Sequence, residues 1–109
     1  MDKDNVYAQH ILDAIVSIEK FIAGGDYEKF SNDQLLQDGV VRELEIIGEA
    51  TKKLSEEFKK SIPSLPWKDI AGMRDKLIHD YFSVDLEEVW KAATEDIELL
   101  KKELLKKTE

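Results

Sequence analysis

The sequence predicts an all-α protein, an antiparallel up-and-down bundle of four main helices with one short extra helix allowed for. Apolar residues recur at helical spacing in four separate segments. Glycine and proline number only 5 and 2 among 109 residues, and 37% of the residues are charged, a composition that favours helices over sheets. A chain of this length buries one core, so we expect a single domain over residues 1–109.

The first helix is predicted to begin at Asp4 or Asn5, either of which can cap it, and to end at Gly24-Gly25. A connector from 26 to 33 follows, and its aromatic residues Tyr27 and Phe30 indicate a short turn packed under the bundle.

The second helix is predicted from about Asp33 to Lys60, with Thr51 on its buried face. Gly48 lies in its middle, where glycine costs helix stability. We therefore expect a neighbouring backbone to approach Gly48.

Residues 61–65 form a predicted turn, and a third helix is predicted over residues 66–82, with Pro66 at its start. Asp85 is expected to begin the fourth helix, since Asp85 and Glu88 have capping-box spacing. The predicted core consists of one residue set drawn from all four helices: Ile15, Ile18, Leu44, Ile47, Leu77, Val89, Trp90 and Ile97.

The third helix carries four chemically active side chains. At about 100° per residue, Arg74 and Tyr81 fall within its apolar stripe, an unusual position for an arginine. His79 points to another side, about 140° from Arg74, and Asp75 lies one turn before His79, close enough to hold its imidazole. Two interpretations stay open: a functional cluster, or a core tyrosine with a surface histidine and a snorkelling arginine.

Arg74, His79 and Tyr81 spell R-x-x-x-x-H-x-Y, which resembles the signature of the HEPN domains of HepT-like toxins. Other stretches are similar in the same order along nearly the whole chain: RELEIIGEA at 42–50, PW at 66–67, GMR at 72–74, VD at 84–85 and VW at 89–90. One departure is Asp75, where many members of that family carry asparagine.

The resemblance implies a HEPN-like bundle and a toxin endoribonuclease. Similar proteins are homodimeric, metal-independent RNases with this arginine and histidine, here Arg74 and His79, in the cleft between subunits. Asp75 would support the site. The resemblance also implies an MntA-like nucleotidyltransferase antitoxin as partner, which attaches AMP to Tyr81. An adduct bearing phosphate beside Arg74 would block RNA.

The charge distribution limits the classes of partner. A net charge of −8 weighs against general nucleic-acid affinity. Lysine pairs at 52–53, 59–60, 101–102 and 106–107 are expected near one end of the bundle, with acidic residues gathered at the other. Two explanations stay open: these charges complement the helix dipoles, or the lysine end meets the RNA backbone.

Other functional classes find little support in the sequence. The chain has no cysteine, so disulfides and thiolate metal sites are excluded. The two histidines have no close spacing, and we expect neither a metal nor a cofactor. His10 is expected to be structural or at the surface, and Glu45 and Glu49 to form a solvated face or a salt bridge to Arg42. The absence of a signal peptide and of a long apolar run predicts a cytoplasmic protein without a membrane span.

Two hypotheses of different classes follow. The first is a toxin endoribonuclease neutralised by a nucleotidyltransferase. The second is a non-catalytic, dimeric helical subunit that binds nucleotide or substrate for such a partner. The intact signature favours the first hypothesis, and the acidic surface favours the second.

Overall fold

A computed structural model describes residues 3–73, 78–80 and 83–108, and its helices confirm the all-α class. Two strands, β1 (Ile78–Asp80) and β2 (Ser83–Val84), are too short to change that class. The helices are α1 (Lys3–Ile22), α2 (Tyr27–Ser31), α3 (Gln34–Lys53), α4 (Glu56–Lys60), α5 (Trp67–Ala71), α6 (Leu86–Lys91) and α7 (Ile97–Thr108), with a π-helical segment (Ala92–Asp96) between the last two.

Helices α1 and α3 form an antiparallel pair. Gly24 ends the first helical stretch at φ +75°, as the sequence predicts, and the short helix α2 occupies the predicted connector. At the other end of the pair, the Asp4 carboxylate accepts hydrogen bonds from the backbone N–H and the hydroxyl of Ser55, at 2.7 and 2.6 Å. The prediction that Asp4 or Asn5 caps α1 is wrong, because the helix already includes Lys3 and Asp4 instead binds Ser55.

The predicted helix from Asp33 to Lys60 is broken at Leu54 and Ser55, so the continuous helix is a wrong prediction. Leu54 adopts an extended conformation, and the Ser55 hydroxyl accepts the backbone N–H of Phe58 at 3.0 Å, which starts α4. The physical reason is that Asp4 engages the backbone N–H of Ser55, a group that a continuous helix would have used internally.

We expect Ser55→Ala to lower the free energy of unfolding by about 1 to 2 kcal/mol, because it removes the cap of α4 and one hydrogen bond to Asp4. The hydroxyl and the backbone N–H of Ser55 hold the pKa of Asp4 below its ordinary value of 3.8. The stabilisation that ionised Asp4 provides is therefore fully present above pH 3.8. It is lost as the pH falls through the lower pKa that Asp4 has in the folded protein.

Urea unfolding of the wild type and of Ser55→Ala, at neutral pH and below about pH 4, measures both effects. The difference in the free energy of unfolding between the wild type and Ser55→Ala should become smaller at acidic pH. Ser64→Ala is the matched control, since Ser64 makes one exposed hydrogen bond, to Glu103 at 3.3 Å, and we expect it to cost less than about 0.5 kcal/mol. Equal losses for the two variants would contradict the assignment of Ser55 as a cap.

The prediction of one continuous helix over 66–82 is wrong, because residues 78–80 lie on a strand. Helix α5 ends at Ala71, and the Gly72 N–H bonds the Lys68 carbonyl at 2.9 Å. Beyond it, β1 and β2 pair antiparallel, with Ile78 opposite Val84 and Asp80 opposite Ser83. The reason is that residues 78–84 are rich in β-branched and aromatic side chains, which favour extended backbone.

The last helical stretch begins as predicted, because the Asp85 carboxylate accepts the Glu88 N–H at 3.1 Å. Its π-helical segment was not predicted. There the Thr94 hydroxyl donates to the Trp90 carbonyl at 2.8 Å, a bond that competes with the regular helical ladder. The wider turn keeps Ala93 and Ile97 on the buried side of the helix.

The buried residues form one hydrophobic cluster that draws on the helices at both ends of the chain. Trp90, a predicted core residue, is only half-buried, with its ring 5.2 Å from Phe30 and 6.2 Å from Tyr27. Leu77 lies outside the described residues. The remaining predicted core residues are fully buried: Ile15, Ile18, Leu44, Ile47, Val89 and Ile97.

Candidate functional site

The segment that leads into the signature is held by helix α3. A Cβ placed on Gly48 would lie 3.4 Å from the carbonyl oxygens of Ile70 and Ala71. The prediction that a neighbouring backbone approaches Gly48 is therefore confirmed. Helix α3 thus sets the position of α5 only three residues before Arg74.

We expect Gly48→Leu to lower the free energy of unfolding by about 1 to 3 kcal/mol, because the larger side chain must push the α5 backbone away. Thermal unfolding followed by circular dichroism measures the loss. Gly39→Leu is the control, since a Cβ there meets the Phe21 ring at 3.3 Å, and that ring is 46% exposed and can turn away. A Gly48→Leu protein as stable as Gly39→Leu would contradict this role of Gly48.

Trp67 fixes the start of α5 from another side. Its indole N–H is shared between the carbonyls of Lys59 and Ile62, at 2.9 and 3.0 Å. Its ring also contacts Phe58 edge to face, with 6.5 Å between centroids. Two residues beyond the other end of this short helix, Met73 is buried. The chain therefore reaches residue 73 in a well-defined position.

The signature residues are described only in part. Arg74, Asp75 and Tyr81 lie outside the described residues, and of His79 the structure describes the backbone in β1 but not the side chain. The site assignment of Arg74, His79, Asp75 and Tyr81 thus stays a prediction.

One argument behind that assignment is corrected. The angle of about 140° between Arg74 and His79, and the one-turn spacing of Asp75 and His79, assumed a continuous helix. Because His79 lies on a strand, helical geometry does not relate it to the other two residues. Any support of His79 by Asp75 must come from the tertiary structure.

The outer face of α3 lies beside two surface grooves, which share Glu45. One, of about 270 Å³, also includes Val41 and Leu86. The other, of about 370 Å³ between α1 and α3, is lined by His10 and Arg42 among other residues. No local pattern predicts that these two residues line the same groove, because the groove arises from the packing of two helices distant in sequence.

The remaining titratable candidates have surface roles. His10 is exposed, with its ring 6.0 Å from Tyr7, as the sequence predicts. Glu49 pairs with Lys52 at 3.3 Å, which agrees with a solvated helix face. Across the part of the chain that the structure describes, no three His, Cys, Asp or Glu side chains form a group able to hold a metal ion. That no metal takes part in the chemistry stays a prediction.

Within the part of the chain that the structure describes, four of the eight paired lysines named from the sequence form ion pairs with carboxylates. Lys101 binds Glu19 across α1 and α7 at 2.9 Å, and its hydrogen bond lowers the pKa of Glu19. The other three pair with glutamates one turn away on their own helices: Lys52 with Glu49, Lys59 with Glu56, and Lys106 with Glu103. The capacity of the lysine-rich end to bind phosphate is therefore smaller than the sequence suggests.

Comparison with known proteins identifies relatives over most of the chain. A family profile described as "Ribonuclease HepT-like" matches residues 11–106. The chain is 47% identical over 95 residues to "Probable ribonuclease HepT" of Thermococcus cleftensis, covering 87% of this chain and 86% of that protein. It is 43% identical over 98 residues to "Putative RNase TTE0752" of Caldanaerobacter subterraneus subsp. tengcongensis, covering 90% and 88%.

A third relative is longer. The chain is 45% identical over 107 residues to "Gamma-glutamylcyclotransferase and putative RNase MJ0434" of Methanocaldococcus jannaschii. This match covers 97% of the present chain, which spans about half (48%) of that relative's length. No solved structure matches the chain. Within the described residues, no helix is both long and apolar enough to cross a membrane.

Proposed function

Because the chain belongs to the HepT-like ribonuclease family, we propose that it is a toxin endoribonuclease that cleaves RNA without a metal. One observation carries the proposal: the spacing Arg74, His79, Tyr81 is intact within the residues that match the family. The relatives named as ribonucleases support the same reaction class.

The proposed chemistry needs a proton acceptor, a proton donor and a cation. The ribose 2′-oxygen loses its proton and attacks the adjacent phosphorus, and the bond to the 5′-oxygen breaks as that oxygen gains a proton. An imidazole with a pKa near neutrality suits both proton transfers, and we assign them to His79. The guanidinium of Arg74 presents two parallel N–H donors to the phosphate oxygens as negative charge builds up.

We propose that the active species is a homodimer. One histidine and one arginine per chain provide few groups for two proton transfers and charge stabilisation. An isologous two-fold interface places two copies of His79 and two of Arg74 on one groove without any further sequence. Asp75 then supports the site from beside Arg74.

We propose Tyr81 as the point of control. An MntA-like nucleotidyltransferase would transfer AMP from ATP to the phenol oxygen, forming a phosphodiester bond and releasing pyrophosphate. The adduct would bring a negative charge into the site, where it would compete with the RNA phosphate for Arg74. Neutralisation would therefore require no unfolding of the toxin.

The second candidate is a non-catalytic dimeric subunit that binds nucleotide or substrate for a partner nucleotidyltransferase. The net charge of −8 favours it, since such a surface repels RNA over most directions of approach. The two candidates differ in one respect, which is whether the purified protein breaks RNA by itself.

The deciding experiment incubates purified protein with a labelled RNA in excess EDTA. We expect cleavage with 2′,3′-cyclic phosphate and 5′-hydroxyl ends, because the attacking group is the ribose 2′-oxygen. Sedimentation at micromolar concentration should show a dimer. Intact RNA after incubation with a folded dimer would leave the non-catalytic subunit as the function, and cleavage that stops in EDTA would overturn metal independence.

A further inference from the structure

A groove of about 360 Å³ lies between α4 and α5, on the side of the molecule where the chain enters the signature segment. Its walls combine cations with an aromatic ring and small apolar surfaces. The residues that line it are Glu56, Lys59, Lys60, Pro63, Trp67, Lys68 and Ala71. Ala71, one of these lining residues, precedes Arg74 by three residues.

The groove is positive in a protein that is strongly negative. It contains three lysines and one glutamate, which leaves two positive charges in a chain of net charge −8. Lys59 binds Glu56 at 3.0 Å, so these two neutralise each other. Lys60 and Lys68 are exposed, and neither pairs with a carboxylate within the described residues. The excess charge therefore resides on Lys60 and Lys68.

The indole of Trp67, which lines the groove, is held in a fixed orientation. Its N–H is already shared between two backbone carbonyls, so no further donor of the ring needs a partner. Its ring contacts Phe58 edge to face, yet the residue is only half-buried. A rigid, partly open aromatic ring in a groove that also holds two exposed lysines provides a surface on which a base can stack while the lysines neutralise nearby phosphates.

We propose that this groove binds single-stranded RNA on the side of the molecule where the chain enters the signature segment, with Lys60 and Lys68 on the phosphates and Trp67 stacked on a base. The inference rests on the proposed function, since it names where the substrate of that reaction is held. It also explains how a protein of net charge −8 binds RNA: the substrate meets a local positive groove, and the acidic remainder of the surface disfavours contact elsewhere.

The test uses a fluorescein-labelled 2′-O-methyl oligouridylate of about ten nucleotides, which lacks the attacking hydroxyl and so stays intact during a binding assay. We expect Lys60→Ala/Lys68→Ala to weaken binding about tenfold at low salt, and to reduce the slope of log K against log salt by about 1.4, or 0.7 for each lost phosphate contact. Lys20→Ala/Lys29→Ala is the control of equal charge, because both lysines are exposed and lie outside the groove. It should change the affinity less than about twofold.

Trp67 provides an independent signal. The chain has two tryptophans, so Trp90→Phe leaves Trp67 as the only source of indole fluorescence. Stacking of a uracil should quench that emission with the same midpoint as the fluorescein titration. Emission that stays constant at saturating probe would remove Trp67 from the site.

Cleavage assays separate this inference from the proposed function. If the wild type cleaves RNA, the groove variant should show a raised KM with kcat nearly unchanged, as expected when uniform binding is lost. If Lys60→Ala/Lys68→Ala kept the wild-type affinity and KM, the proposal that the groove binds RNA would be wrong. It would also be wrong if the control pair lost as much affinity. In both cases the ribonuclease function would stand. If the wild type binds the probe through the groove but cleaves no RNA, the groove is an RNA-binding site and the proposed catalytic function is wrong.

Discussion

His79→Ala is expected to reduce RNA cleavage by about 10²- to 10⁴-fold, the usual effect of removing a residue that transfers protons in the transition state. Arg74→Ala should cause a loss of similar size, because the phosphate then lacks its planar cation. Neither residue is one of the described core residues, and we expect helical content and dimer mass to match those of the wild type. Single-turnover cleavage of a labelled RNA, with circular dichroism and sedimentation on the same samples, measures these effects.

Two conservative substitutions serve as controls for this prediction. Asp75→Asn should retain most activity, since its amide oxygen can still accept a hydrogen bond. Arg74→Lys keeps the charge but loses the two-pronged donor, and its rate should fall between those of the wild type and Arg74→Ala. Full activity in either alanine variant would remove that residue from the chemistry.

Tyr81→Phe is expected to separate cleavage from its control. The phenol transfers no proton in the proposed reaction, so the variant should cleave RNA at close to the wild-type rate. It lacks the oxygen that receives AMP, so incubation with the partner nucleotidyltransferase and ATP should leave it fully active. The wild type treated in the same way should lose nearly all cleavage activity and gain the mass of one AMP on the peptide that contains Tyr81.

Tyr7→Phe and Tyr27→Phe are the matched controls, because they are the other tyrosines of the chain. Both variants should still be modified and silenced. If the partner silences Tyr81→Phe as well, or places AMP on another residue, Tyr81 is not the point of control. A Tyr81→Phe protein that cleaves no RNA would instead give the phenol a part in catalysis.

Local sequence signals succeeded where one residue is enough to set the backbone. Gly24 ends α1 at positive φ, and Asp85 starts α6 through its own carboxylate. Gly48 correctly indicated a close approach of backbone, although the sequence could not say which segment approaches. The prediction at Asp85 was correct because its contact lies within one helical turn. The predictions at Gly24 and Gly48 were correct because the backbone there needs a residue without a side chain.

Local signals failed where a distant partner competes for the same backbone group. The helix predicted through Ser55 breaks because Asp4, far away along the chain, binds the Ser55 N–H. The helix predicted through His79 gives way to a strand that pairs with Ser83–Val84. The π-helical segment likewise escaped prediction, since one bond from Thr94 to the Trp90 carbonyl leaves the apolar spacing almost unchanged.

The sequence by itself determined the helical class, six of the eight core residues it predicted and the ordered signature that resembles the ribonuclease family. These features are encoded in periodicity and in residue identity, which need no knowledge of distant contacts. Only the tertiary structure decided that the α5 backbone packs closely against Gly48, and that Lys60, Lys68 and Trp67 line one groove. It also placed His79 on a strand. The physical reason is that helix packing and strand pairing join residues whose separation along the chain carries no periodic signal.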